Sequence, residues 1–187
     1  MLKKIKRYLD ETANDFNYTF IPRLLLRPMM KQCSDKKKIV GAEIGVKEGH
    51  NANVMLRCLD IEILYLIDPY VDYMEVGKLV NYSNCYKVML KNIKHFKDRI
   101  VVIKKCSDEA LNDIPDDLDF VYIDGNHNHP FVDNDIKNYY DKLKVGGLIG
   151  GHDFNYICPD VIEAVVDFSV KKNLKIFNYS SDWWFVK

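Results

Sequence analysis

No stretch of 18 consecutive apolar residues occurs anywhere in the 187-residue chain, so the sequence offers no membrane-spanning helix. Charge of one sign is also missing: 27 Lys and Arg balance 27 Asp and Glu, and no net field draws the chain onto nucleic acid or an anionic membrane. The cysteines, Cys33, Cys58, Cys85, Cys106 and Cys158, are odd in number and never spaced C-x-x-C. That argues against a disulfide framework and a zinc knuckle, and a reducing cytoplasm is the expected setting. Lys3, Lys4, Lys6 and Arg7 are not followed by the apolar run of a signal peptide, and they read as a solvated helix face and not as an RNA-binding patch. The expectation is a soluble, unprocessed protein without internal repeats or low-complexity segments.

What is present is enough apolar material, 48% of residues, to build one core. From residue 38 onward, short apolar runs alternate with longer amphipathic stretches, the pattern of a sheet with helices on both faces. Strands are expected at 38–43, 63–67, 100–104, 119–123, 148–150, 174–179 and 183–186, and helices at 50–59, 79–96, 133–143 and 159–172. Only Ser180, Ser181 and Asp182 separate the last two strands, a link that suits an antiparallel hairpin and not a crossover. The fold class is therefore α/β: a doubly wound seven-stranded sheet, mostly parallel, with its last strand antiparallel. Residues 1–36 are expected to form a helical cap, its 21–28 stretch lying over the site, and residues 37–187 the main domain, the whole making one compact domain.

The first strand runs into Gly41-Ala-Glu-Ile-Gly-Val-Lys-Glu-Gly49, so a glycine-bearing turn hands a strand over to a helix N-terminus. Gly45 and Gly49 would let backbone approach a ligand, but their G-x-x-x-G spacing lacks the G-x-G-x-x-G of dinucleotide sites. Glu43 at the mouth of this turn would repel a pyrophosphate and attract a cofactor bearing an ammonium and a sulfonium, which favours S-adenosylmethionine over NAD. Asp68 ends the second strand, placed to accept hydrogen bonds from both ribose hydroxyls; Val46 and Pro69 complete the two turns. Ser107, in the polar turn Cys106-Ser-Asp108, is read either as an adenine contact or as part of a helix N-cap.

The fourth strand delivers Asp124, with His127 three residues on, and the fifth ends in Gly151-His-Asp153. In a doubly wound sheet these two strands are neighbours, so their carboxyl ends bring two acids and two imidazoles to one place beside the cofactor. Asp133, Asp135 and Asp141, on the intervening helix, read as its solvated face.

Taken in order, Glu43-Ile-Gly45, Leu66-Ile-Asp68-Pro69, Tyr122-Ile-Asp124-Gly-Asn-His127 and Gly146-Gly-Leu-Ile-Gly-Gly-His152-Asp153 resemble the class I S-adenosylmethionine-dependent methyltransferases. The branch they are most similar to is that of catechol and macrolide-sugar O-methyltransferases, and the likeness runs from residue 38 to residue 187. An antiparallel last strand belongs to that fold. The resemblance implies Asp124 and Asp153 as metal ligands and His127 as the base that takes the acceptor's proton; His127, Asp124 and Asp153 are thus the candidate catalytic residues, with Asp124 also beside the cofactor. Related enzymes put an oxygen donor next to the second acid, whereas here its neighbours are His152 and Phe154. With His152 joining Asp124 and Asp153 as a ligand, the preference would move from Mg²⁺ toward another divalent metal; a site that works without metal stays open.

An imidazole with pKa near ~6.5 suits proton removal at neutral pH. The expected partner is a small-molecule acceptor, a sugar among the candidates, with neither nucleic acid nor membrane involved; a homodimer is an open arrangement. Residues 70–85, with their tyrosines and Met74, form either an aromatic wall for the acceptor or ordinary core. His129 reads as a loop residue, His50 as lining or capping the cofactor turn, His95 as surface, and Trp183 and Trp184 as packing on opposite sheet faces. Two rival readings are kept: a non-haem iron oxygenase site of His127, His152 and Asp153, and a binding module of the same fold without catalysis.

Overall fold

The computed structural model of the chain describes residues 26–75 and 77–187. Its elements in order are α1 (Pro28–Lys31), β1 (Ile39–Ile44), α2 (His50–Cys58), β2 (Ile61–Ile67), β3 (Tyr73–Glu75), β4 (Lys78–Val80), α3 (Cys85–Asn92), a 3-10 segment (Lys94–Arg99), β5 (Ile100–Ile103), β6 (Leu118–Ile123), α4 (Phe131–Asp141), β7 (Leu143–Gly151), α5 (Pro159–Lys172), β8 (Phe177–Tyr179) and β9 (Asp182–Val186). Seven of the strands form one sheet in the order β5-β2-β1-β6-β7-β9-β8. β5, β2, β1, β6 and β7 run parallel, and β9 pairs antiparallel with both β7 and β8. Among the described residues no helix is long and apolar enough to cross a membrane. Of the helical cap expected over residues 1–36, residues 1–25 lie outside the described residues, and the described remainder contains the short helix α1.

Alternation along the strands divides the core into two layers. Phe120 and Tyr122 of β6 face one side with Met29, Met30, Met55 and Leu66, whereas Val121 and Ile123 face the other with Ile136 and Tyr139 of α4 and Val165 and Phe168 of α5. Trp183 is 1% exposed and joins the second layer, while Trp184 packs against the first, so the two indoles lie on opposite faces as their adjacency in a strand requires. All six residues of β6 are buried, which places the segment carrying Asp124 at the sheet's centre.

The sequence misplaces three boundaries. The helix expected over 79–96 starts at Cys85, because Lys78–Val80 pairs with Tyr73–Glu75 in a separate hairpin and Asp72 Oδ1 accepts the N–H of Tyr82, holding the chain extended. The strand expected from 174 begins only at Phe177: Asn173 takes a left-handed conformation, and Leu174 exchanges hydrogen bonds with Ser169 in the last turn of α5. Leu143, expected to close a helix, instead opens β7 opposite Leu118.

Candidate active site

β1 hands over to α2 through a turn in which Gly45 has φ +79°. A Cβ on Gly45 would lie 2.1 Å from the carbonyl oxygen of Asp124, so glycine is required by the contact between this turn and the end of β6. Asp124 N–H donates to Ile44 O at 2.8 Å and Gly45 N–H to Ile67 O at 2.9 Å, tying the two turns together. Gly49, at φ +72°, is the N-cap of α2 and faces Met89, where a Cβ would come within 2.9 Å of Cγ; the contact that demands glycine there is with α3.

A pocket of about 360 Å³ opens beside Gly45. Its lining includes Gly45, Asp68, Pro69, Ser107, Gly125 and Asp135, so four of the expected cofactor residues meet there. Val46 and Glu43 are buried and are not among the residues that line it. Asp68 is 2% exposed and already accepts three backbone N–H bonds, from Val46 at 2.9 Å and Lys47 at 2.8 Å on Oδ2 and from Tyr70 at 2.8 Å on Oδ1. A carboxylate has about four acceptor positions, so Asp68 braces the glycine turn with three of them and keeps about one for a ligand hydroxyl.

Glu43 is 1% exposed; its Oε1 accepts a bond from Asn51 Nδ2 at 2.9 Å, and its Oε2 has no partner. Burial pushes this carboxyl up to about 8. An orphaned acceptor next to the glycine turn is what a ligand ammonium would complete, so these residues fit a cofactor with a cationic amino-acid end.

The pocket wall continues through Gly125 and Asn126 into the reaction centre, since Asp124 and His127 flank those two residues. His127 Nε2 lies 3.5 Å from Asp124 Oδ1 and 3.2 Å from Asp153 Oδ2; His152 Nδ1 meets the same Asp153 oxygen at 3.2 Å. The bond to Asp153 raises the pKa of His152, and in turn lowers that of Asp153. Asp153 holds φ +58°, a left-handed backbone that a side chain adopts at a cost of about 1–2 kcal/mol. Asp124, His152 and Asp153 each offer a ligand atom within 4.8 Å of the others, so the donor set expected for a metal does assemble.

Sequence reasoning missed three site residues. Asp182, 2% exposed, faces His152 Nε2 at 3.8 Å and takes a bond from Arg27 NH1 at 3.3 Å. The signal was available: in an antiparallel β7–β9 pair, the start of β9 must meet the end of β7, and Trp183 indeed lies opposite Gly151. Arg27 lies in the stretch expected to cap the site, though it was not singled out there. Asp135, assigned to the solvated face of α4, is 5% exposed and lines the pocket. It shares the helix face of Val132, Ile136 and Tyr139; Asp141 is exposed as expected, whereas Asp133 is largely covered and pairs with Lys137. His129 and His95 are exposed. His50 is exposed beside Glu48 and is not among the pocket residues.

The family model for a methyltransferase domain matches residues 42–154, from the glycine turn to the residue after Asp153. The chain belongs to that family. It is a class I S-adenosylmethionine-dependent methyltransferase. An uncharacterized protein of Acanthamoeba polyphaga mimivirus is 26% identical over 176 residues, covering 89% of this methyltransferase and 76% of that protein. Among solved structures, the O-methyltransferase from Bacillus cereus in complex with S-adenosylhomocysteine is similar at a TM-score of 0.66, with 12% identity, 100% of this chain and 90% of that one covered. A Podospora anserina methyltransferase bound to S-adenosylhomocysteine gives 0.66 at 13% identity, covering 97% and 86%. The O-methyltransferase NovP gives 0.63 at 18% identity, covering 89% and 80%. At such identities these structures establish a shared fold, which agrees with the sheet order above.

Proposed function

We propose that this methyltransferase holds S-adenosylmethionine with its adenosine end in the pocket beside Gly45 and its ammonium against Glu43, and methylates a hydroxyl on a small molecule, such as a sugar. One observation carries the reading: the pocket and the carboxylate–imidazole cluster share the Asp124–His127 loop, so a ligand in the one presents its far end to the other. Two of the similar structures described above are O-methyltransferases, which agrees with an oxygen acceptor.

Bound S-adenosylmethionine supplies a methyl group already activated on a sulfonium, so the chain's contribution is to position the acceptor and remove its proton. Asp124 and Asp153 offer acceptor oxygens against which a hydroxyl can seat, and Nε2 of His127 faces both of them and takes the proton. The carboxylates then stabilise the imidazolium. His152 orients Asp153 from behind, and Asp182, held by Arg27, faces His152 in turn.

Asp124, His152 and Asp153 would hold a divalent ion, which would polarise the acceptor oxygen; one imidazole among two carboxylates fits Mn²⁺ or a later transition ion better than Mg²⁺. An iron oxygenase centre on His127, His152 and Asp153 is disfavoured by the family.

The test is to incubate the protein with methyl-labelled S-adenosylmethionine and matched pairs of small hydroxyl and amine compounds, sugars included. Label on oxygen supports the proposal. Transfer confined to nitrogen or carbon would overturn the assignment of the acceptor.

A further inference from the structure

The pocket assigned above to adenosine contains an acid that the transfer chemistry does not use. Asp135 sits in the first half of α4, is 5% exposed, and lines the pocket together with Ser107, Asn134 and Gly125. Ser107 lies beside its carboxyl group in the pocket wall, and a Cβ on Gly125 would lie 3.8 Å from its Oδ2. One turn on, Tyr139 donates from its hydroxyl to Ser107 O at 2.7 Å, so α4 holds the backbone of Ser107 against the pocket. A carboxyl group on the apolar face of a helix, between Val132, Ile136 and Tyr139, is an expensive choice for the fold alone. Burial pushes this one up to about 7, Asp108 acting in the same direction, so an added N–H donor would relieve it.

The geometry points to Asp135 as the residue that selects the base in this pocket, accepting a hydrogen bond from the exocyclic amino group of adenine; the inference rests on the methyl-donor reading of the pocket. An amino group donates to a carboxylate, whereas the carbonyl oxygen that replaces it in hypoxanthine would face the same carboxylate lone pair to lone pair.

Calorimetry at pH 8.5 with S-adenosylhomocysteine and S-inosylhomocysteine tests this. The wild type is expected to favour the adenine ligand by about ten-fold or more, and Asp135→Asn to bring the two within about three-fold, because an amide can turn either its oxygen or its nitrogen to the base. A purely structural role would weaken both ligands equally and leave their ratio intact. A wild-type ratio below about three-fold overturns the inference without any variant. So does a ratio that survives in Asp135→Asn, or one that collapses instead in Asp108→Asn at the exposed neighbouring acid. Binding of S-adenosylhomocysteine with a flat ratio sinks only this inference; binding of neither ligand sinks the methyl-donor reading as well.

Discussion

Nε2 of His127 and Oδ2 of Asp153 lie 3.2 Å apart, although 26 positions of sequence, a helix and a strand separate the two residues. This pairing joins the loop that borders the pocket to the end of the neighbouring strand. If His127 takes the acceptor's proton, His127→Ala should lower kcat by about a hundred-fold or more, while the affinity for S-adenosylhomocysteine stays within about three-fold. Calorimetry beside steady-state kinetics separates the two, and equal losses in both would remove His127 from the chemistry.

Glu43 predicts a pH dependence of cofactor binding. Its carboxyl is protonated below about 8 in the empty site, and an ammonium prefers the ionised form. Affinity for S-adenosylhomocysteine should therefore rise between pH 6 and pH 8, by up to ~10-fold per pH unit, and level off above. In Glu43→Gln the profile should be flat. Stability of the empty protein has the opposite sign: a raised native pKa means that the folded state holds this proton more tightly, so the contribution is complete below the unfolded value of about 4.3 and is lost as pH rises through about 8. Thermal melts of wild type and Glu43→Gln across that window measure it.

Chelation should lower activity if Asp124, His152 and Asp153 hold a divalent ion. Dialysis against EDTA is expected to cut turnover by about ten-fold or more, with Mn²⁺ restoring it better than Mg²⁺. Full activity in the metal-free enzyme would return the cluster to the histidines and acids alone.

Gly45 and Gly146 share φ +79°, but a Cβ at Gly146 meets nothing within 4 Å, whereas one at Gly45 meets the backbone of Asp124. Gly146→Ala should cost about 1–2 kcal/mol from conformation alone. Gly45→Ala should cost roughly twice that or more, because two turns must separate, and should abolish cofactor binding. Denaturant melts that show equal costs would mean that the turn relaxes freely.

Asp119 supports the opposite edge of the sheet, where its Oδ2 accepts Val40 N–H at 2.9 Å beside the β1 register shift and its Oδ1 pairs with Lys144. Asp119→Ala should destabilise by about 1–3 kcal/mol with cofactor affinity unchanged.

The strands, the antiparallel hairpin and the meeting of Asp124, His127, His152 and Asp153 were legible because each follows from local apolar runs and from one topological rule about parallel sheets. Asp135 was missed although its spacing to Val132, Ile136 and Tyr139 already puts it on the apolar stripe of α4; what no spacing reports is that this face turns toward Ser107 and the pocket. The hairpin of residues 73–80 was hidden for a related reason, because Asp72 holds Tyr82 across a turn and no periodicity reports that bond. That Asp68 braces the glycine turn was hidden as well, since the backbone N–H groups of Val46, Lys47 and Tyr70 reach it only after folding.

The most direct measurement is a crystal structure of the protein with S-adenosylhomocysteine. The account predicts the base between Ser107 and Asp135, the ammonium on Glu43, and the sulfur turned toward His127 and Asp153. A pocket that stays empty at saturating ligand, or a sulfur facing away from those two side chains, would contradict it.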